Sequence, residues 1–181
     1  MTILLFGVSN VGKSVTGEFL AHRLGYDFYD LDEEVKKHWN TTLDDFVSTG
    51  TLRERDQIRS DLINSLVARN GDKVVAVTPL SYIQAIQPPL SSPGIFSIER
   101  LDSAENIFDR LVFSDENDNI YKDDGYKNEH RDYYLSEISA DLEWYGSIYA
   151  DIRHQFHISG RLPEDVADTL IMEYHLGREE A

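Results

Sequence analysis

The chain has 181 residues, 41% hydrophobic and 28% charged, enough for one well-buried core and few for two, so a single domain over residues 1–181 is expected. Its 33 acidic and 17 basic residues give a formal charge of −16, which disfavours nucleic acid and anionic membranes as partners. Cys is absent, which excludes disulfides, thiolate metal sites and cysteine nucleophiles; no apolar run approaches the roughly 20 residues that cross a bilayer, and the short uncharged start does not read as a signal peptide, so a cytoplasmic protein is expected.

Ile3-Leu4-Leu5-Phe6 is a continuous apolar run ending at Gly7, the pattern of a strand buried on both faces of a parallel sheet. Phe19, Leu20 and Leu24 space out one helix face, and Gly25 is placed to end that helix. Residues 27–31 read as a second strand, which would put Asp30 and Asp32, two residues apart, on one face. Helices are expected over 32–39, 43–48 and 53–69, the last with Ile58, Leu62 and Leu66 on one stripe. Asn70-Gly71-Asp72 is a turn, Val74–Val77 a third strand stopped by Pro79, and residues 95–98 a fourth. Ser103 can cap a helix to about Leu111. Residues 114–127 are polar and weakly periodic, the composition of a flexible loop of lid length. A long helix over about 129–150, a short strand at 156–158 and a helix opened by Pro163 complete the chain. Alternating strands and helices imply an α/β fold with a five-stranded parallel sheet.

Gly7-Val8-Ser9-Asn10-Val11-Gly12-Lys13-Ser14 fits the phosphate-loop pattern G-x-x-x-x-G-K-[ST] in full and sits between a predicted strand and a predicted helix, the context the motif requires. Glycines let backbone N–H groups curl around phosphate oxygens, and the helix that follows points its positive end at them. Lys13 is expected to reach the β- and γ-phosphates and Ser14 to ligate Mg²⁺, with ATP as the nucleotide. Gly7, Ser9, Asn10, Val11, Gly12, Lys13, Ser14 and Val15 form the expected nucleotide-binding set.

From Gly7 to about Asp56, and again near the C-terminus, the sequence resembles the shikimate kinases, small P-loop kinases that phosphorylate a hydroxyl of a cyclic carboxylate. GVSNVGKSVTGEFLAHRLGYDFYDLDEEV and DDFVSTG carry the resemblance. It implies the three-layer P-loop kinase fold, an acceptor-binding region at about 31–60, a mobile lid at about 112–128, ATP and Mg²⁺ as cofactors, and a small hydroxylated metabolite as acceptor. Asp30 inherits the role of Mg²⁺ support. Asp32 inherits contact with the acceptor hydroxyl, where a carboxylate can take or orient the proton. Either Asp could instead cap the helix after it. Arg55, with Arg53 as the fallback, falls where the family holds the acceptor's carboxylate; Arg53, Arg55 and Arg59 could equally form a solvated helix face. Arg110 resembles the arginine that stacks on adenine, or pairs with Asp109 or a neighbouring acid, and Ser159–Pro163, with Arg161 and Pro163, resembles the loop beside the base.

Three segments depart from the family. Its glycine-rich stretch after the third strand is replaced by Thr78-Pro79-Leu80, where Pro79 lacks an amide donor and Leu80 is expected to add bulk. The lid lacks arginine, leaving Lys122, Lys127 or Arg131 as substitutes. The helix expected to supply a second acceptor arginine reads Ser139-Ala140-Asp141-Leu142-Glu143-Trp144-Tyr145, within a stretch, 101–145, that holds 13 acidic and four basic residues. These departures admit two other readings: a nucleotide-binding protein without shikimate kinase activity, serving regulation or interaction, and a kinase of a neutral or cationic polyol. The six histidines show no metal-ligand spacing, and Tyr133, Tyr134, Tyr145 and Tyr149 are expected to pack.

Overall fold

The computed structural model describes residues 1–86, 90 and 92–177. β1 (Thr2–Phe6), β2 (Asp27–Asp30), β3 (Lys73–Ala76), β4 (Ile95–Leu101) and β7 (His154–His157) form a parallel sheet in the order β2-β3-β1-β4-β7. β1 sits at the centre, with Leu5 opposite Ala76 on one neighbour and Ile98 on the other. Successive strand side chains point to opposite faces. Ile3 and Leu5 therefore join α1 (Lys13–Leu24) and α8 (Pro163–Glu173) in one core layer, with Leu20, Val74, Val166 and Leu170. Leu4 and Phe6 join α2 (Leu31–Trp39) and α4 (Leu52–Ala68) in the other, with Val35, Ile63, Val75 and Val77. This double burial explains the unbroken apolar reading of β1.

Local signals set the helix ends. Gly25 at φ 70° closes α1, and a reciprocal Thr51–Glu54 capping box opens α4. Thr42 caps α3 (Leu43–Ser48), and Ser103 caps α5 (Ala104–Arg110) as expected. Two expectations are corrected. The second strand ends at Asp30, so Asp32 lies in the first turn of α2 and does not share a strand face with Asp30. Capping decides this: the Asp30 carboxylate accepts from the amides of Asp32 and Glu33, which starts the helix at Leu31.

The segment expected as a flexible loop is instead a hairpin, β5 (Phe113–Ser114) with β6 (Ile120–Tyr121), followed by α6 (Asp124–Glu129) and α7 (Arg131–Ile148). Asp115 organises its turn by accepting from the amides of Asn117 and Asn119, and the rings of Tyr121, Tyr126 and Tyr134 gather around Phe113 at 5.7–5.9 Å. Weak periodicity hid a structure held by turn chemistry and aromatic packing. At its tip, Asp118 accepts from the Leu43 amide at 2.8 Å, so the hairpin reaches the start of α3. Tyr145 and Tyr149 do pack, ring against ring at 5.6 Å, and Tyr149 is fully buried; Tyr133 lies against Tyr134 but is exposed.

Candidate active site

The carboxyl ends of β1, β2 and β3 are adjacent in the sheet, and each delivers a functional segment: the loop from Gly7, Asp30 with α2, and Val77-Thr78. Ligands of open α/β sheets bind outside these strand ends. Gly7, Asn10 and Gly12 take positive φ values of 135°, 58° and 93°, which curl the loop over the N-terminus of α1. At Gly7 a side chain is also sterically excluded, since a Cβ would stand 2.6 Å from the Arg100 carbonyl oxygen.

Lys13 donates from Nζ to the carbonyls of Gly7 at 2.8 Å and Val8 at 2.7 Å, so its ammonium is folded back onto the loop it would serve. Burial, and secondarily Arg100, pull its pKa down to about 7, against the opposing pull of Asp32 and Asp30. Ser14 donates from Oγ to Asp30 Oδ2 in a short contact. The two groups expected at Mg²⁺ are thus in direct contact, and Asp30 caps α2, as the alternative reading expected. Asp32 is half-buried and accepts from the Thr78 hydroxyl at 2.7 Å. Burial raises its pKa despite that bond and the nearby Arg59, which makes it a better proton acceptor than an exposed aspartate.

The arginines of α4 sort differently from expectation. Arg59, for which a solvated helix face was one alternative, is 6% exposed and meets both Asp56 at 3.5 Å and Asp32 at 4.0 Å, with its guanidinium 5.1 Å from the centroid of the Phe46 ring. Arg55 does not approach Asp32; it donates to the carbonyls of Thr49 and Gly50, both at 2.9 Å. There it lines a cavity of about 700 Å³ with Trp39, Asp45, Phe46 and Glu54. Arg53 is exposed, over the Tyr82 ring. The i, i+3 spacing of Asp56 and Arg59 on one helix face was the available signal.

The Thr78-Pro79-Leu80 substitution also needs correction. Leu80 adds no bulk to the cleft, because it is fully buried in the core layer with Phe6 and Tyr149. Its amide donates to the Tyr149 hydroxyl, and the next two amides, of Ser81 and Tyr82, donate to Asp56 Oδ2. The backbone donors after Pro79 are therefore committed to the protein itself. Trp144 approaches the same segment, its indole N–H 3.4 Å from the Ser81 hydroxyl.

Among the residues expected near the base, Arg110 donates to Asp102 at 2.7 Å and weakly to the Asn10 carbonyl at 3.3 Å, so the neighbouring acid is Asp102 and not Asp109. Arg161 closes its own turn on the carbonyls of His157 and Ile158, and Pro163 opens α8. Asn106 of α5 stands 3.4 Å from where a Gly160 Cβ would lie, so the two base-side segments are neighbours. Lys127 and Arg131, the expected substitutes for a lid arginine, are engaged with α5 and α6. Lys127 is buried against Asp109 and Asp124, and both cations lie over the Phe108 ring, while Lys122 is exposed.

Residues 9–86 match the family model for shikimate kinase. Over that segment the chain is similar to the shikimate kinases. It is 25% identical over 174 residues to a shikimate kinase of Thermodesulfovibrio yellowstonii, covering 95% of this chain and 94% of that one. A shikimate kinase of Chlorobium phaeobacteroides is 38% identical over 68 residues, 37% of this chain and 34% of the relative's length, so the stronger likeness is local. The structure of a shikimate kinase from Acinetobacter baumannii in complex with shikimate superposes with a TM-score of 0.70 at 21% identity, covering 97% and 94% of the two chains. The fold is that of the P-loop kinases.

Proposed function

We propose that this chain, as one domain, transfers the γ-phosphoryl group of ATP to a hydroxyl of a small metabolite, in the manner of a shikimate kinase. The observation that carries this reading is the convergence of Lys13, the Ser14–Asp30 contact and the Asp32–Thr78 pair at adjacent strand ends. Ser14 and Asp30 supply hard oxygen donors, and among the described residues no group of three His, Asp or Glu forms a ready cation cage. That fits Mg²⁺, which takes few protein ligands and keeps phosphates and water for the rest. Bound Mg²⁺ would supply charge neutralisation on the phosphates. The loop amides cradle the triphosphate, Lys13 leaves the carbonyls of Gly7 and Val8 to reach it, and Asp32 accepts or orients the hydroxyl proton. Gly7 and Ser9 to Val15 bind the phosphates, and Arg110, Arg161 and Pro163 border the base.

The acceptor side is led by residues 31–60, with Asp32 as its reacting group and Arg55 as its guanidinium, held on the Thr49 and Gly50 carbonyls at the cavity edge; residues 112–128 cover it. Shikimate is the first acceptor to test, on the family's chemistry. A second reading is favoured by a specific observation: the amides after Pro79 and the Arg59 guanidinium are occupied by Tyr149 and Asp56. That commitment suits a nucleotide-binding protein without shikimate kinase activity, or a kinase of a neutral or cationic polyol. ADP release from Mg-ATP, measured with shikimate and then with a polyol panel, decides among the three. Shikimate-stimulated release supports the first. Stimulation by a polyol alone moves the acceptor, and unstimulated protein that still binds ATP leaves the regulatory reading.

A further inference from the structure

Arg100 lies outside the phosphate loop, the acceptor region and the lid, near the end of β4, yet it touches both ends of the loop. Its carbonyl oxygen abuts Gly7, and its guanidinium donates from NH1 to the Gly12 carbonyl, with both terminal nitrogens within 4.0 Å of where a Gly12 Cβ would stand. The side chain is 2% exposed and its Nε has no hydrogen-bond partner. Among the described residues no carboxylate lies within ion-pair distance of it. Glu99, the nearest acid in sequence, is engaged by Gln155, and Asp102 by Arg110 and Asn106. Its charged neighbours include Arg110 and Lys13, with Asp102 acting in the opposite sense from beyond ion-pair distance. Burial and Arg110 lower its pKa to about 9, which leaves it charged at neutral pH. In a chain of net charge −16, a buried guanidinium without an acid is costly unless an anion compensates it.

We infer that Arg100 is a positioning residue for the triphosphate: phosphate oxygens on the loop above it compensate its charge, and its bond to the Gly12 carbonyl turns the following amide toward them. The second part follows from peptide geometry. Carbonyl and amide of one peptide unit point in opposite directions, so drawing the Gly12 oxygen inward toward β4 presents the Lys13 N–H outward into the nest. Arginine charge thus reaches the phosphates from the sheet side, in a chain whose residues 111–130 contain no arginine. This rests on the nucleotide site proposed above but not on transfer to any acceptor.

The test compares Arg100→Met, Arg100→Gln and Arg100→Lys with the unsubstituted protein, reading Mg-ATP affinity by calorimetry and the melting temperature without nucleotide. Gln keeps a donor for the Gly12 carbonyl while losing the charge. Both neutral variants are expected to melt at or above the parent temperature without nucleotide, yet to bind Mg-ATP about 10- to 100-fold more weakly, the loss expected for a charge-assisted interaction. Lys is expected to recover most of that loss. Affinity unchanged in both neutral variants overturns the inference. So does failure of the neutral variants to fold while Lys folds, because the charge would then be stabilising the empty protein; failure of all three makes Arg100 a structural strut. If the parent binds Mg-ATP but no acceptor stimulates ADP release, only the transfer reading falls; if it binds no Mg-ATP, both fall.

Discussion

The phosphate side of the cleft is built from backbone and the acceptor side from side chains, and that difference governs what each can tolerate. The loop from Gly7 to Lys13 depends on three positive φ values and on amides that any residue carries, so its function is written in a short spacing of glycines. Across the cleft, the amides of Leu80, Ser81 and Tyr82 are satisfied by Tyr149 and Asp56, partners 25 to 69 residues away in sequence, and Asp56 also pairs with Arg59 on its own helix. A nucleotide site made of backbone survives drift in its neighbours. A site made of distant side chains can be rewired one pair at a time.

The sharpest way to break this comparison is Lys13→Ala, which should lower acceptor-stimulated ADP release by about 10³-fold or more in a coupled assay, since it removes the cation on the transferring phosphoryl group. Substantial residual turnover would mean that the loop is not the catalytic half. Asp32→Asn comes next, with an expected loss of about 10²- to 10³-fold in kcat while Mg-ATP affinity from calorimetry stays near the parent value. A matching loss of nucleotide affinity would merge the two halves.

Arg59→Met probes the acceptor side through stability. Removing one partner of a buried pair leaves Asp56 unpaired, and about 3 kcal/mol should be lost in denaturant unfolding. Removing both, as in Asp56→Leu with Arg59→Met, should recover little of that loss, because Asp56→Leu leaves the Ser81 and Tyr82 amides without their acceptor.

The smallest effect is in pH. Lys13 is depressed to about 7 in the folded protein from about 10.5 unfolded, so between those values the unfolded chain binds more protons and stability of the nucleotide-free protein should rise with pH. ATP binding should recharge Lys13 and take up a proton near pH 8, measurable as a buffer-dependent binding heat. Lys13→Met should abolish both.

The residues of the phosphate loop, the order of strands and helices, and the helix caps at Ser103 and Gly25 were legible in sequence because each depends on neighbours a few positions away. Asp30 was legible as a helix cap, although the strand was read one residue too long because capping and strand continuation compete at that point. The hairpin at 113–121 was not, since its turn is organised by Asp115 and its ring cluster draws on Tyr134 from another element. Neither was the choice of Arg59 over Arg55 beside Asp32, nor the inward turn of Leu80, because spacing along α4 and after β3 leaves the facing partner unspecified. Arg100 falls beyond the strand read at 95–98 and carries no signal until β4 is set beside β1.

By itself the sequence determined a parallel α/β domain with a complete phosphate loop, because period, glycine spacing and caps act over a few residues and need no distant partner. Tertiary structure alone decided which charges face that loop and which are spent on one another. Burial and ion pairing depend on residues brought together from Lys13, Asp32, Asp56 and Arg100, whose separation along the chain carries no trace of their meeting.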